Sequence, residues 1–199
     1  MDASLEQRLT ARFGSLLGPI LFFVLEVVEI VLISAAVIIP IRYFLIQPFY
    51  VKGASMEPNF FDHEYLIIDE LSYRFREPER GETVVFRYPR DSRQFFIKRV
   101  VGLPGETVEI TAGNILIYNE EHPNGIVLEE EYVSESRTDG RVKSVLAPDE
   151  YYLLGDNRDE SLDSRAFGPV KRKGIVGRVW VRGLPLPRAG TFAAPEYNL

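Results

Sequence analysis

The 199-residue sequence has no cysteine, two histidines (His63 and His122) and one tryptophan. Without cysteine there is neither a disulfide framework nor a thiolate metal site, while the redox character of the compartment stays open. Two isolated histidines without ligand-like spacing give little support for zinc, so no metal or cofactor is expected. A basic run is also missing. The net charge is −6, and residues 1–52 balance four acidic side chains (Asp2, Glu6, Glu26, Glu29) with four basic ones (Arg8, Arg12, Arg42, Lys52). The acidic excess therefore lies in residues 53–199, which argues against nucleic acid as a partner, since that interaction rests on neutralising phosphates.

What is present is largely apolar. At 46% apolar residues the chain can bury a core. Residues 27–46, "VVEIVLISAAVIIPIRYFLI", could cross the roughly 30 Å hydrocarbon layer as one helix of about 1.5 Å per residue, making the lipid bilayer a partner. Glu29 and Arg42 fall near its ends, within reach of the interface. Two competing readings are a cleaved export signal, with Ser34-Ala35-Ala36 at the cut, and a buried core helix. The first has to account for about ten further apolar residues beyond that point, and the second for the lack of polar residues at helical spacing. The charges flanking the span do not fix its orientation. Residues 16–25, "LLGPILFFVL", could extend the helix or lie in the interface.

After Pro48 the pattern becomes β-rich. Apolar runs over 64–71, 82–89, 95–103, 106–110, 115–118, 126–133, 151–155 and 174–183 are separated by turn signals such as "TAGN", "HPNG" and "LPGE". The expected fold is mainly β, an irregular antiparallel barrel or two packed sheets, behind one N-terminal helix. Residues 134–149 read as a long loop and those after Pro185 as a poorly ordered tail. The corresponding division is an N-terminal segment 1–26, a span 27–46, a β-rich domain 47–184 and a tail 185–199.

Ser55, in "VKGASMEPNF", has no familiar partner. The nucleophile elbow lacks its second glycine, and Pro58 stands where a Ser-x-x-Lys pattern needs lysine. His63 in "FFDHEY" and His122 before Pro123 both read as solvated. A lysine can act as base if burial disfavours its ammonium. In "FFIKRVV", strand alternation puts Phe96, Lys98 and Val100 on one face and Phe95, Ile97, Arg99 and Val101 on the other. Periodicity alone leaves open whether Lys98 is buried or is a surface lysine with an apolar stem. The polar stretch "GDNRDESLDSRAFG", residues 155–168, lies between two apolar strands. It reads either as a solvated loop or as a rigid wall of paired charges.

Taken in order behind an apolar span, "GASMEP", "FIKRVVGLPGE" and "GDNRDESLDSR", with "RGETVVFRYP" between the first two, resemble the motifs of type I signal peptidases. The resemblance covers roughly residues 30–182. It implies a membrane-anchored serine endopeptidase acting through an acyl-enzyme, with Ser55 as nucleophile, Lys98 as general base and Ser161 as the hydroxyl that orients the lysine. It pairs Asp156 with Arg99 and Asp163 with Arg165 as the wall behind them. It puts Val51, Met56, Phe60, Phe96 and Ile97 in the substrate pockets, where their bulk would admit only small side chains. Gly53 replaces the serine that supplies an oxyanion donor in some members, leaving the Ser55 N–H and an unidentified second donor. Asn59 and Lys52 stand where threonine and proline are frequent, and the short stretch between Lys98 and Gly155 resembles the compact members. The implied partners are signal-peptide-bearing precursors emerging from the export machinery, cut on the extracytoplasmic side of a bacterial cytoplasmic membrane. Two other readings are kept: a relative maturing one dedicated substrate, and an inactive membrane-tethered β-domain.

Overall fold

The computed structural model describes residues 3–44, 46–133 and 138–199. The first four residues of the loop expected over 134–149 lie outside these. The chain divides into two compact units, a helical one and one formed by residues 46–199.

Helix α1 (Ala3–Phe44) is interrupted at Gly14, whose φ of 87° and ψ of 169° are not helical. Residues 16–25 continue the helix. Its stretch Leu5–Ile39 is apolar and long enough, by length and composition, to cross a membrane. The helix ends at Phe44 and Ile46 already opens a strand, so the boundary falls just inside the expected span.

The second unit is mainly β. Its elements are β1 (Ile46–Tyr50), β2 (Tyr65–Asp69), β3 (Thr83–Tyr88), β4 (Asp91–Gly102), β5 (Thr107–Thr111), β6 (Asn114–Tyr118), β7 (Ile126–Val127), β8 (Val142–Val145), β9 (Glu150–Leu154), the one-turn helix α2 (Ser164–Phe167), β10 (Val170–Lys171), β11 (Ile175–Leu184) and β12 (Gly190–Thr191). They form two antiparallel sheets. The larger follows an open path β1-β2-β11-β3-β4-β9-β10, with β12 on β11, and the smaller runs β7-β6-β5-β8. The barrel alternative is thereby replaced by two sheets.

Period-2 alternation explains the packing. In β4 and β9, Val100, Tyr151 and Leu153 join one core cluster with Val84 and Phe86, while Val101, Tyr152 and Leu154 join another with Val108, Ile110, Ile115 and Ile117 of the smaller sheet. A third cluster, around Val51, Met56, Phe60, Leu66, Ile68 and Val85, lies beneath the loop between β1 and β2. The segment after Pro185, expected to be loose, is instead tied down. β12 pairs with β11, and Asn198 donates to the Val127 carbonyl at 2.8 Å.

Candidate active site

Three segments meet at the site, and each is held by its own sequence. The first is the loop from Val51 to Glu64. Backbone bonds from Val51 N to Glu64 O (2.9 Å) and from His63 N to Val51 O (3.1 Å) close its base. Val51, Met56 and Phe60 are buried beneath it, which leaves Ser55 half-buried at its crest. The Gly53 N–H donates to Asp62 Oδ1 at 3.0 Å, so that donor is already engaged.

The second segment is β4, a central strand. Arg99 pairs with Thr83 of β3 on one side and Leu154 of β9 on the other, and Lys98 sits opposite Val84. Lys98 is only 3% exposed. Its Nζ lies 2.6 Å from Ser55 Oγ and 2.7 Å from the Ile97 carbonyl. Burial lowers the lysine to about 8 against the field of Asp163 and Asp156, which oppose the shift.

The third segment is the turn after β9. Asp156 accepts from Arg99 Nε at 2.8 Å and Nη2 at 2.6 Å. Asp163 accepts from Arg165 Nε and Nη2, each at 2.9 Å, and also from the Arg165 N–H at the start of α2. Such bidentate pairs fix side-chain geometry as well as charge. The Asn157 N–H donates to the Ser55 carbonyl (3.2 Å) and its Nδ2 to the Ala54 carbonyl (3.2 Å), joining wall to loop. Gly155 makes that approach possible. A Cβ there would lie 2.2 Å from Ser161 Oγ and 2.5 Å from the Ser55 carbonyl oxygen. Ser161 therefore sits against the turn that touches Ser55. Its Oγ is shielded from solvent and has no hydrogen-bond partner among the described residues.

A cleft of about 590 Å³ opens over Ser55 and Lys98 and is lined by Val51, Gly53, Phe96 and Ile97. Met56 and Phe60, expected in the pocket walls, lie below the cleft instead. They fill the core against Leu66 and Val179, because the loop turns them inward. The cleft also includes Phe49, Tyr50, Phe95, Glu160 and Leu162, which the sequence reading did not single out. The adjacent aromatic pair Phe49-Tyr50 in "QPFY" was the available signal, obscured by Pro48 and by the adjoining apolar run. Neither histidine lines the cleft. His63 is exposed beside Asp62, 2.9 Å away, and His122 is half-buried, its Nδ1 without a partner among the described residues.

A family model described as "Signal peptidase, peptidase S26" matches residues 24–183. A "Probable signal peptidase I-2" from Synechocystis sp. is 39% identical over 174 residues, covering 83% of this chain and 76% of that one. A signal peptidase I from Leptolyngbya laminosa is 35% identical over 179 residues, with 86% and 85% covered. Signal peptidase I P from Bacillus subtilis subsp. natto is 31% identical over 176 residues, with 83% and 91% covered. Fold, motifs and relatives together define a hydrolase, a serine peptidase. The chain belongs to the signal peptidase family, peptidase S26, and is of the type I kind.

Proposed function

We propose that the protein is a membrane-anchored endopeptidase that removes signal peptides from exported precursors, with Ser55 as nucleophile and Lys98 as base. The observation that carries this is the 2.6 Å approach of a buried lysine amine to a serine hydroxyl at the floor of an open cleft. Neutral Lys98 takes the proton of Ser55 as Oγ attacks the scissile carbonyl carbon. The ammonium so formed returns that proton to the departing amine nitrogen as the peptide bond breaks, leaving an ester on Ser55. Water then attacks the ester, Lys98 again takes a proton, and collapse of the intermediate frees the acid and restores the serine hydroxyl.

The neutral amine retains two N–H bonds. One fits the Ile97 carbonyl, and the other would go to Ser161 Oγ, whose missing partner supports an orienting role. The Ser55 N–H serves the oxyanion, since the Gly53 N–H is held by Asp62. Val51, Phe96 and Ile97 crowd the cleft and select small side chains before the cut.

Helix α1 supports an anchor, since it is apolar and of spanning length. Residues 47–184 would then work on the extracytoplasmic side of a bacterial cytoplasmic membrane, close to the bilayer where precursors emerge.

The test is cleavage of a purified precursor by the full chain. Ser55→Ala and Lys98→Arg should each lose more than about a thousandfold in rate, the second because a guanidinium does not deprotonate in this range. The wild-type rate should rise with pH through about 8 as the neutral amine accumulates. Near-wild-type turnover by Lys98→Arg would assign the base elsewhere.

A further inference from the structure

The family match stops at residue 183, yet residues 190–198 are built into the back of the site. After β12, Phe192 packs on Phe60 of the nucleophile loop with ring centroids 4.5 Å apart. Tyr197 and Pro195 then close on Gly81, where a Cβ would lie 2.8 Å and 2.9 Å from them. The Gly81 carbonyl accepts from Arg99 Nη1 at 2.7 Å. The Tyr197 hydroxyl lies 3.1 Å from that of Tyr132, with the rings edge-on at 6.1 Å. Burial pushes the Tyr197 phenol up to about 12, so it stays neutral near physiological pH. Asn198 fastens the end of the segment, its Oδ1 accepting from the Glu129 N–H at 3.1 Å and its Nδ2 donating to Val127.

Tyr132 is where this segment reaches the chemistry. Its ring lies over Arg99, 4.1 Å from Cζ to the ring centre. Its carbonyl accepts from Asn59 Nδ2 at 2.9 Å, and the same amide donates to Asp156 at 2.9 Å. The buried Arg99–Asp156 pair is thus covered by Tyr132 and bridged to the nucleophile loop by Asn59, and Tyr197 holds Tyr132 down.

We propose that Tyr197 is a positioning residue for the dyad, acting through Tyr132 to keep the Arg99–Asp156 pair out of water and the Asp156–Asn157 turn fixed against Ser55. This rests on the Ser55–Lys98 reading above. Lys98 is faced by Asp156 and Asp163 from the turn after β9, each paired with an arginine. Glu160 and Lys52 line the cleft, Arg99 adjoins it on β4, and uncharged Val84 lies opposite on β3. Loss of the cover admits water behind this group and weakens the desolvation that favours the neutral amine, so the alkaline-rising limb of the rate moves to higher pH.

The experiment compares the full-length protein with Tyr197→Ala, Tyr197→Phe and Asn198→Ala in precursor cleavage between pH 6 and 10, with thermal unfolding followed in parallel. Tyr197→Ala should lose about tenfold in kcat at pH 7 through a shift of about one unit in the limb, and should recover much of the deficit above pH 9. Its KM should stay within about twofold of wild type, as positioning affects the reacting atoms more than substrate docking. Tyr197→Phe, which keeps the ring, should stay within about threefold of wild type. Asn198→Ala, which only loosens the end, should shift the limb less and in the same direction. An unchanged profile in Tyr197→Ala overturns the proposal, and so does an equal loss at every pH with lower thermal stability, which would mark packing alone. If Tyr197→Ala fails to fold, an unshifted limb in Asn198→Ala overturns it on the same ground. Failure of the dyad reading is separate, because it appears as activity in Lys98→Arg.

Discussion

The two sheets bury different things. Between β5 and β6 the inner face holds Val108, Ile110, Ile115 and Ile117, all nearly inaccessible, with Leu128 and Leu146 added from flanking segments. The wall beside Ser55 buries Lys98, Arg99, Asp156, Arg158 and Asp163 just as deeply. Burying an apolar face follows from alternation and lowers the free energy of the fold. Burying five charged side chains does so only where each has a partner, and a buried ion pair is weak evidence for stability. Of these five, the four that form carboxylate–guanidinium pairs do so at 2.6–2.9 Å, Arg158 with Glu130 and the others as described. Lys98 faces a hydroxyl and a carbonyl instead. The smaller sheet has the makings of a scaffold, and the wall those of the chemistry proposed above.

Substitutions in the two regions should separate stability from rate. The largest effect expected is on the scaffold. Ile117→Ala should cost about 2–5 kcal/mol of unfolding free energy, measured by denaturant titration, while kcat of the folded enzyme stays within about twofold. A comparable loss of kcat would show that the smaller sheet positions the site. Next comes Gly155→Ala, which should reduce kcat about a hundredfold, because the new methyl must displace either Ser161 or the Ser55 backbone. Steady-state kinetics would check this, and a near-normal rate would mean the turn yields without moving the dyad.

The smallest effect is the one with the clearest sign. Lys98→Met should stabilise the protein by about 1–3 kcal/mol at pH 7, where the folded wild type buries an ammonium. Below about 8 the lysine is protonated in both folded and unfolded states, and the cost of burial is fully present. Between about 8 and the ordinary lysine value the folded state has released its proton while the unfolded state keeps it, so wild-type stability gains with rising pH. The advantage of methionine should shrink over that window. A gain independent of pH from 7 to 10.5 would mean that the amine is not desolvated as described.

The same contrast explains what could be read in advance. β2, β3, β5, β6, β9 and β11 match, to within a residue, runs where apolar alternation and turn residues agree, and a mainly β domain follows from them, though not the choice between barrel and two sheets. β1 did not show, because Pro48 reads as a breaker and its apolar residues merge with the preceding helix. β8 did not show either. Its exposed and half-buried residues carry almost no hydrophobic signal, and it exists by pairing its backbone with β5. At the site, alternation set Lys98 among apolar neighbours but could not tell burial from snorkelling, since the stem of a lysine suits both. The motifs carried Ser55, Lys98 and the paired arginines as expectations. Met56 and Phe60 were assigned to the pocket by the same resemblance, and their inward orientation depends on how the loop closes over β2 and β11. Nothing local in "PRAGTFAAPEYNL" announces that Phe192 and Tyr197 will find Phe60 and Tyr132, because those contacts span more than sixty positions of sequence.

The shielded hydroxyl of Ser161 carries an evolutionary consequence. A buried polar atom without a partner among the described residues is a liability in the resting fold, and alanine at that position would be the more comfortable choice for stability alone. Selection for thermostability would therefore drift toward losing this oxygen, while, on the orienting role proposed for it, selection for turnover near neutral pH would keep it. If Ser161 orients the amine as proposed, durability and speed pull in opposite directions at position 161.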